Sequence, residues 1–260
     1  MERTGGPHRK YIARTTSDGR IQLLEDHLKA VAGAAARSAG KIGAARAGEA
    51  LGLLHDFGKY SAEFQSYIRR KTPDQDEEQT LGRGKVDHST AGAQQIWRSL
   101  KDKGVTQGIA GEILALCSAS HHSGLIDCVR PAGEEQLLRR IEKPEADSHL
   151  GEVWATAETS VAASARDLLD NTDTWEDVIG VLRRICQFGT SEVIRRFHAG
   201  MLARFLFSCL VDADHTDSAE FEIPLDGVLR QHGRHEKWDV LTERLEHALA
   251  QFSTAKAIDR

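Results

Sequence analysis

The sequence predicts an all-α protein, and three observations support this fold class. Apolar residues recur at spacings of three and four positions in several long segments. No strand-like alternation of useful length appears anywhere in the chain. Stretches rich in charge, Gly or Pro separate the apolar segments, as loops between helices do. We therefore expect a helical bundle, and we assign residues 1–260 to a single domain.

Composition restricts the class of protein further. Apolar residues make up 40% of the chain and charged residues 28%, and no apolar run approaches the roughly 18 residues of a membrane helix. The 4 cysteines show no C-x-x-C pairing and no signal-like segment precedes them, so we expect a cytoplasmic protein with no membrane partner. The net charge of −5 gives no chain-wide indication of nucleic-acid binding. Histidine, with 12 residues, is the unusual count.

The first two predicted helices each carry a histidine among apolar residues. Residues 21–40 place apolar side chains at helical spacing around His27. Residues 45–57 form a second helix, and its last turn holds the adjacent pair His55 and Asp56. Two such polar side chains at the end of an apolar helix need an explanation.

The central part of the chain alternates loops with helices. Residues 71–88 are charged, contain Pro and Gly and have no apolar period, so we expect an exposed loop that leads to His88. A helix then follows over 89–100, with Ser89 as its N-cap. Residues 109–125 repeat the pattern of the second helix and also end in a polar pair.

The C-terminal part contains the most apolar helix of the chain. Residues 126–150 show little periodicity, and we expect an insertion or loop excursion rather than core. The helix over 193–214 is expected to bury its apolar face and to end in the acids Asp212 and Asp214. A last amphipathic helix leads into a polar ending at 250–260, which we expect to be a tail or the start of a linker.

The histidines and acids at these positions are informative as a set. Taken singly, each has an ordinary explanation, such as a hydrogen-bonded core histidine or a surface acid at a helix end. Burying all of them without partners would cost on the order of several kcal/mol per group, so a shared cation is the simpler explanation. Imidazole nitrogens and carboxylate oxygens suit divalent Mn, Fe, Co, Ni or Zn. The set comprises His27, His55, Asp56, His88, His121, His122 and one acid, Asp212 or Asp214.

The order of these motifs resembles the HD superfamily of metal-dependent phosphohydrolases, which is named for an adjacent pair matched here by His55 and Asp56. More narrowly, LLHDFGKYSAEFQ, DHSTAGA, SASHHSGL and FSCLVDADHTD look like motifs of the HD nuclease domain in the helicase-nuclease of type I CRISPR-Cas systems. This likeness extends over nearly the whole chain. It implies an HD-domain-like helical bundle with a metal site at its centre.

The resemblance also implies two divalent metal ions, Mn, Ni, Co, Fe or Mg, bridged by Asp56. For the acid after the apolar helix we favour Asp214, because relatives place the ligand in an Ala-Asp step, while Asp212 stays open as an alternative. On this basis His27, His55, Asp56 and Asp214 form one metal site, and His88, His121 and His122 form the other with Asp56.

Two further positions follow from the same likeness. Lys59 matches the family motif and can hold a phosphate oxygen as a point charge, so His55, Asp56 and Lys59 are the expected catalytic residues. The other interpretation of Lys59 is an exposed lysine near a helix end. Arg14 stands where relatives carry a histidine, which leaves the role of that position open.

The activity implied by the resemblance is that of an endonuclease or exonuclease that hydrolyses single-stranded DNA in CRISPR interference, an antiviral defence. Its partners would be a helicase and a guide-RNA surveillance complex, and residues 250–260 would then be a tail or the start of the linker to the helicase. Two metal ions can activate water and neutralise phosphate charge, which fits a chain without a recognisable Ser-His-Asp or Cys-His signature. No G-x-x-x-x-G-K-[ST] loop is present, so the chain is not expected to be the ATP-driven motor.

Two other classes of function stay open from the sequence. An HD phosphohydrolase acting on nucleotides or cyclic nucleotides would use the same metal ligands. A non-enzymatic interaction module could retain the metal for stability alone.

Overall fold

The computed structural model describes residues 11–70, 86–127, 135–188, 191–223 and 236–250. Contacts divide the chain into two compact units, Met1–Glu222 and Ile223–Arg260. The predicted all-α class is confirmed, because helices make up nearly all regular structure in these ranges. The assignment of the whole chain to one domain stays a prediction.

The first unit begins with a short antiparallel hairpin and continues with helices. The strands are β1 (Ile12–Thr15) and β2 (Ile21–Leu23). The helices are α1 (Leu24–Gly40), α2 (Ala45–Leu54), a 3₁₀ helix (Phe57–Tyr60), α3 (Ala62–Arg70), α4 (Thr90–Leu100), α5 (Val105–Ser120), α6 (Gln136–Ile141), α7 (Glu145–Ser148), α8 (Leu150–Thr156), α9 (Thr159–Asp170), α10 (Thr172–Cys186) and α11 (Glu192–Glu222). The second unit contains α12 (Trp238–Ala250). No helix in the described part of the chain is long and apolar enough to cross a membrane.

Helices α1 and α2 form an antiparallel helical hairpin held close by small residues. A Cβ added to Gly52 would lie 2.5 Å from the Cα of Ala32. A Cβ on Gly48 would lie 2.5 Å from the backbone oxygen of Ala35. Only glycine allows such an approach. Gly48 packs against Ala35, and Gly52, later in α2, packs against Ala32, earlier in α1. One turn further along, the end of α2 therefore lies beside His27.

Glycines also fix the start of α4 against the end of α2. A Cβ on Gly92 would lie 1.8 Å from the carbonyl oxygen of Leu54. A Cβ on Gly58, in the 3₁₀ helix, would lie 2.4 Å from the carbonyl oxygen of His88. The Gly58 amide donates a hydrogen bond of 3.1 Å to that same oxygen. The backbone that carries His88 is therefore held against the turn that follows α2.

The β1–β2 hairpin was not expected from the sequence, and the first helix begins at Leu24 because residues 21–23 belong to β2. Strands of 4 and 3 residues are too short to show an alternating apolar pattern. The turn between them closes with Gly19 at φ 84°, and the Arg20 amide donates to the Thr16 hydroxyl over 3.0 Å.

Helix α11 also differs from the prediction. It continues past Asp214 to Glu222 instead of ending at the acids. The apolar side chains of its first turns are exposed, with Phe197 at 63%, and burial begins at Leu202. The expectation of a buried face is therefore wrong for Ile194, Phe197 and Met201, because helical spacing shows which side chains share a face but not what covers them.

The expected excursion over 126–150 is wrong for its described part. Leu137 and Ile141 of α6, and Leu150 at the start of α8, are buried in the main core. A helix of 6 residues is too short to reveal its period among charged neighbours, so composition alone suggested a loop. Residues 128–134, like 71–85 of the predicted loop and 251–260 of the predicted tail, lie outside the described ranges.

The N-cap predicted for α4 is also corrected. Ser89 occupies the N-cap position but its side chain makes no capping hydrogen bond. Asp87 supplies the acceptor instead, because its carboxylate accepts from the amide of Thr90 over 3.1 Å. A side-chain acceptor three residues before an amide satisfies an N–H group of the first helical turn, as an N-cap residue does.

Gly92→Ala is expected to destabilise the protein, because the new methyl group would collide with the backbone oxygen of Leu54 on a neighbouring helix. We expect the free energy of unfolding to fall by about 3 kcal/mol, the upper end for overpacking. Gly108→Ala in α5 is the matched control, since its Cβ meets nothing closer than 3.9 Å. That variant should gain up to about 1 kcal/mol from helix propensity. Chemical denaturation measures both, and equal stabilities would contradict the packing described.

Candidate metal centre

Three of the predicted histidine ligands are oriented by their own backbone. The Nδ1 atoms of His55 and His121 donate to the carbonyl oxygens of Gly52 and Ser118, over 2.8 and 2.7 Å. His88 Nδ1 donates in the same way to the oxygen two residues before it, over 3.0 Å. Because a carbonyl oxygen only accepts, each Nδ1 must carry hydrogen, and each Nε2 is turned toward the interior of the site.

The carboxylate of Asp56 lies at the centre of the site and is almost fully buried. Its Oδ1 faces three imidazoles, whose Nε2 atoms lie at 3.2 Å (His121), 3.5 Å (His88) and 3.8 Å (His122). Its Oδ2 faces the Nε2 atoms of His55 at 3.3 Å and His27 at 3.4 Å. We call these the Oδ1 group (His88, His121 and His122) and the Oδ2 group (His27, His55 and the acid below).

Asp214 completes the Oδ2 group. Its Oδ1 lies 3.5 Å from the Nε2 of His27 and 3.8 Å from that of His55. Asp214 is buried, whereas Asp212 is exposed on the opposite side of α11. Two positions along a helix turn the side chain by roughly 200°, which explains the difference. The structure therefore brings Asp214 to the cluster and leaves Asp212 in solvent.

The donor atoms are spaced as ligands of shared cations would be. The Nε2 atoms of His88 and His122 lie 2.7 Å apart, close enough to share a hydrogen in the metal-free chain or to bind one cation. The buried Nε2 atoms of His27 and His55 have no hydrogen-bond partner among the described residues. The ligand atoms of Asp56 and the Oδ1 group all lie within 4.8 Å of one another, close to the spacing that ligands at about 2.1 Å from one ion require. The residues present therefore fit divalent metal ions.

The histidines on the two sides of Asp56 differ in protonation, because burial dominates on one side and neighbouring carboxylates dominate on the other. Burial lowers the pKa of His88 to about 3 and that of His121 to about 4, so both imidazoles are neutral near pH 7. Burial also opposes charge on His55, but the carboxylates of Asp56 and Asp214 outweigh it and raise its pKa to about 10. Neutral imidazole is the form that binds metal, and His88 and His121 already have it.

The two carboxylates stay ionised for a related reason. Burial favours their neutral forms, yet the charges of Lys59 and His55 hold the pKa of Asp56 well below its usual value. The positively charged ring of His55, 3.8 Å from Oδ1 of Asp214, holds the pKa of Asp214 well below its usual value in the same way. Both acids are therefore available as anionic ligands at neutral pH.

Lys59 is buried, so the alternative interpretation from the sequence, an exposed lysine near a helix end, is wrong. Its Nζ lies 2.8 Å from Oδ2 of Asp56 and donates to the carbonyl oxygen of Ala13 over 3.3 Å. The 3₁₀ helix that follows Asp56 delivers this side chain back toward the carboxylate. Lys59 thus supplies a positive charge inside the site.

Two residues at the site were not assigned a role from the sequence. Arg14, on β1, lies with Nη2 3.8 Å from Oδ1 of Asp214 and with Nη1 3.5 Å from Oε1 of Glu222. Asp217 lies with Oδ2 2.6 Å from the Nδ1 of His27. Asp217 could have been noticed in the sequence because it follows Asp214 by three residues, and residues at this spacing share one face of a helix.

In the described part of the chain, the predicted ligands differ in their exposure to solvent. The side chain of His122 is 30% exposed, whereas the other six predicted ligands are exposed by 9% or less. Among the described residues, His122 is therefore the predicted ligand with the most contact with solvent. The Oδ2 group lies deeper, behind Asp56.

Comparison with known families agrees with this geometry. A search of curated proteins found no match. The model of a family described as the HD domain of Cas3 matches residues 17–194, which is more than half of the chain. The matched region contains every predicted histidine ligand and Asp56, while Asp214 lies beyond it. The chain therefore belongs to the Cas3 HD domain family, whose members are metal-binding HD nucleases associated with CRISPR systems.

Proposed function

We propose that this chain hydrolyses phosphodiester bonds of single-stranded DNA with two divalent metal ions, one held by each side of Asp56. The observation that carries this proposal is that imidazoles face both oxygens of one buried carboxylate, that of Asp56. The preferred ions are Mn, Ni, Co, Fe or Mg, all of which accept nitrogen or oxygen ligands.

The residues of the chain do several tasks in this proposal. When bound, the metal ions supply an activated water and neutralise phosphate charge. The backbone bonds to Nδ1 hold His55, His88 and His121 with Nε2 toward the site, so no ring has to reorient on binding. Lys59, a point charge beside Asp56, is the proposed contact for a phosphate oxygen. No protein nucleophile is needed.

The exposure of His122 supports a polymeric substrate. A strand can lie across the surface at His122 and present one phosphate to the cluster. The net charge of −5 favours weak DNA binding by the chain itself. We therefore propose that a helicase and a guide-RNA surveillance complex deliver the strand during CRISPR interference in the cytoplasm.

Asp56→Asn is expected to abolish nicking of circular single-stranded DNA, because the neutral amide cannot serve as an anionic ligand on both sides of the site. The purified chain is incubated with DNA and Mn²⁺, Ni²⁺, Mg²⁺ or EDTA, and products are resolved on denaturing gels. Asp212→Asn is the matched control, since that carboxylate is exposed on the same helix as Asp214, and it should cleave like the wild type.

A parallel panel of deoxynucleotides and cyclic nucleotides separates the other functions. If a nucleotide is hydrolysed while the DNA stays uncleaved, the chain is an HD phosphohydrolase of nucleotides and the nuclease proposal is wrong. Metal that raises the melting temperature without hydrolysis of any substrate would instead favour the stabilised interaction module.

Metal binding to the Oδ2 group at pH 7 is expected to release about one proton. The pKa of His55 is raised to about 10, so its ring is protonated at pH 7 and must lose a proton to bind metal. The pKa values of His88 and His121, about 3 and 4, mean that these rings have no proton to lose. Calorimetric titration in two buffers of different ionisation enthalpy measures the number of protons released on metal binding. If neither binding event releases a proton, the protonation assigned to His55 is contradicted.

Two positive side chains make the Oδ2 group the weaker of the two metal sites. Lys59 lies 2.8 Å from Oδ2 of Asp56, and Arg14 lies 3.8 Å from the carboxylate of Asp214. A cation that binds these oxygens must displace or tolerate both charges. The Oδ1 group should therefore fill first.

Arg14→Gln is expected to tighten the weaker of the two metal dissociation constants by about tenfold, while the tighter one stays within about twofold. The change removes a positive charge near Asp214 and keeps most of the side-chain volume; tenfold corresponds to about 1.4 kcal/mol. Mn²⁺ titration monitored by electron paramagnetic resonance measures both constants. Arg204→Gln, on the exposed surface of α11, controls for loss of an arginine, and weaker Mn²⁺ binding by Arg14→Gln would contradict the competition.

A further inference from the structure

Helix α11 contacts both ring nitrogens of His27. The Nε2 of His27 lies 3.5 Å from Oδ1 of Asp214, on the side that faces Asp56. Its Nδ1 lies 2.6 Å from Oδ2 of Asp217, on the other edge of the ring. Asp214 and Asp217 are three residues apart and so share one face of the helix. A single helix face therefore fixes both the position and the rotation of this imidazole.

The partner of His27 differs in kind from those of the other oriented histidines. His55, His88 and His121 each donate Nδ1–H to a nearby backbone carbonyl. His27 lies inside α1, and its Nδ1 partner is a carboxylate from a helix 190 positions later in the chain. A carboxylate accepts a stronger hydrogen bond than a neutral oxygen does, and it makes the ring a better electron donor.

Asp217 is itself held in place. The side-chain amide of Gln22 donates to the same Oδ2 over 2.7 Å. Gln22 lies on β2 directly opposite Arg14 on β1, and Arg14 contacts Asp214. The β1–β2 hairpin therefore contacts both Asp214 and Asp217, through Arg14 and Gln22, and forms part of the site.

We propose that Asp217 is a positioning residue for His27, which fixes the ring with hydrogen on Nδ1 and the lone pair of Nε2 toward the metal position. This inference rests on the proposed function only in that His27 is a metal ligand. An ionised carboxylate can only accept, so the hydrogen must lie on Nδ1 and Nε2 is left free to bind. Ligand histidines are commonly oriented in this way, and loss of the orienting group lowers metal affinity by about 10- to 100-fold.

The first test reads the ring directly in the metal-free protein. Nitrogen-15 NMR of histidine-labelled protein distinguishes hydrogen on Nδ1 from hydrogen on Nε2. The wild type should show His27 with hydrogen on Nδ1, and Asp217→Ala should convert it to a mixture of both forms. The His27 signal is assigned by its loss in His27→Gln. Hydrogen on Nε2 in the wild type, or an unchanged ring in Asp217→Ala, would overturn the proposal.

The second test measures metal affinity in the same variants. Asp217→Ala should weaken one of the two Mn²⁺ binding events by about 10- to 100-fold and leave the other unchanged. Asp217→Asn, which keeps an acceptor oxygen without the charge, should show a smaller loss and also guards against misfolding of the alanine variant. Asp212→Ala, exposed on the same helix, should bind like the wild type. A merely structural role would lower the melting temperature with both affinities intact, and that result would refute the proposal.

Neither readout depends on DNA cleavage. Wild-type chain that binds metal but cleaves no DNA would remove the proposed nuclease and leave the role of Asp217 to be decided by the two tests. Conversely, active wild-type enzyme with unchanged Asp217→Ala affinity would remove this inference alone.

Discussion

The buried negative charge of Asp56 is the constraint on which the rest of the site depends. An ionised carboxylate in a protein interior is strongly unfavourable unless other groups compensate it. Lys59 and the protonated ring of His55 provide that compensation in the metal-free chain. The neutral rings of His88 and His121, on the side of the other oxygen, contribute no charge. Divalent cations bound at this centre would supply the positive charge that Lys59 and His55 supply in the metal-free chain.

Three of the predicted ligands are placed by helix ends, while His27 and Asp214 lie within helices. His55, His121 and His88 follow or precede a helix, where a free carbonyl oxygen is available to orient the ring. Glycines then allow the helices to approach closely enough for the rings to meet, with centroids of His27 and His55 5.3 Å apart. Rigid placement of this kind suits a site that must hold ligand atoms within a few tenths of an ångström.

The parts of the site that could be predicted are those encoded by local motifs. The HD pair, the tandem histidines and the Ala-Asp step each lie within a few residues, so the family resemblance located them, and the structure brings all of them together. Asp217 was missed because its role depends on a contact with His27 across 190 positions; its spacing from Asp214 indicates a shared helix face but not this partner. Arg14 was noticed only as a departure from the family, and its contact with Asp214 became visible through the hairpin.

The fold shows the same division between local and long-range information. Long amphipathic helices such as α1 and α5 could be predicted from spacing, while the hairpin and the short helix α6 were too brief to show a period. The exposed apolar turns at the start of α11 illustrate a different limit. A sequence shows which side chains could be buried, whereas burial itself depends on which other elements pack against them.

The most direct test of the central claim is anomalous X-ray diffraction from crystals grown with Mn²⁺, recorded at the manganese absorption edge. The account predicts two anomalous peaks on opposite sides of the Asp56 carboxylate, one ligated by His88, His121 and His122 and the other by His27, His55 and Asp214. A single peak would contradict the two-metal assignment. Peaks confined to exposed residues, with Lys59 still paired to Asp56, would contradict the metal centre itself.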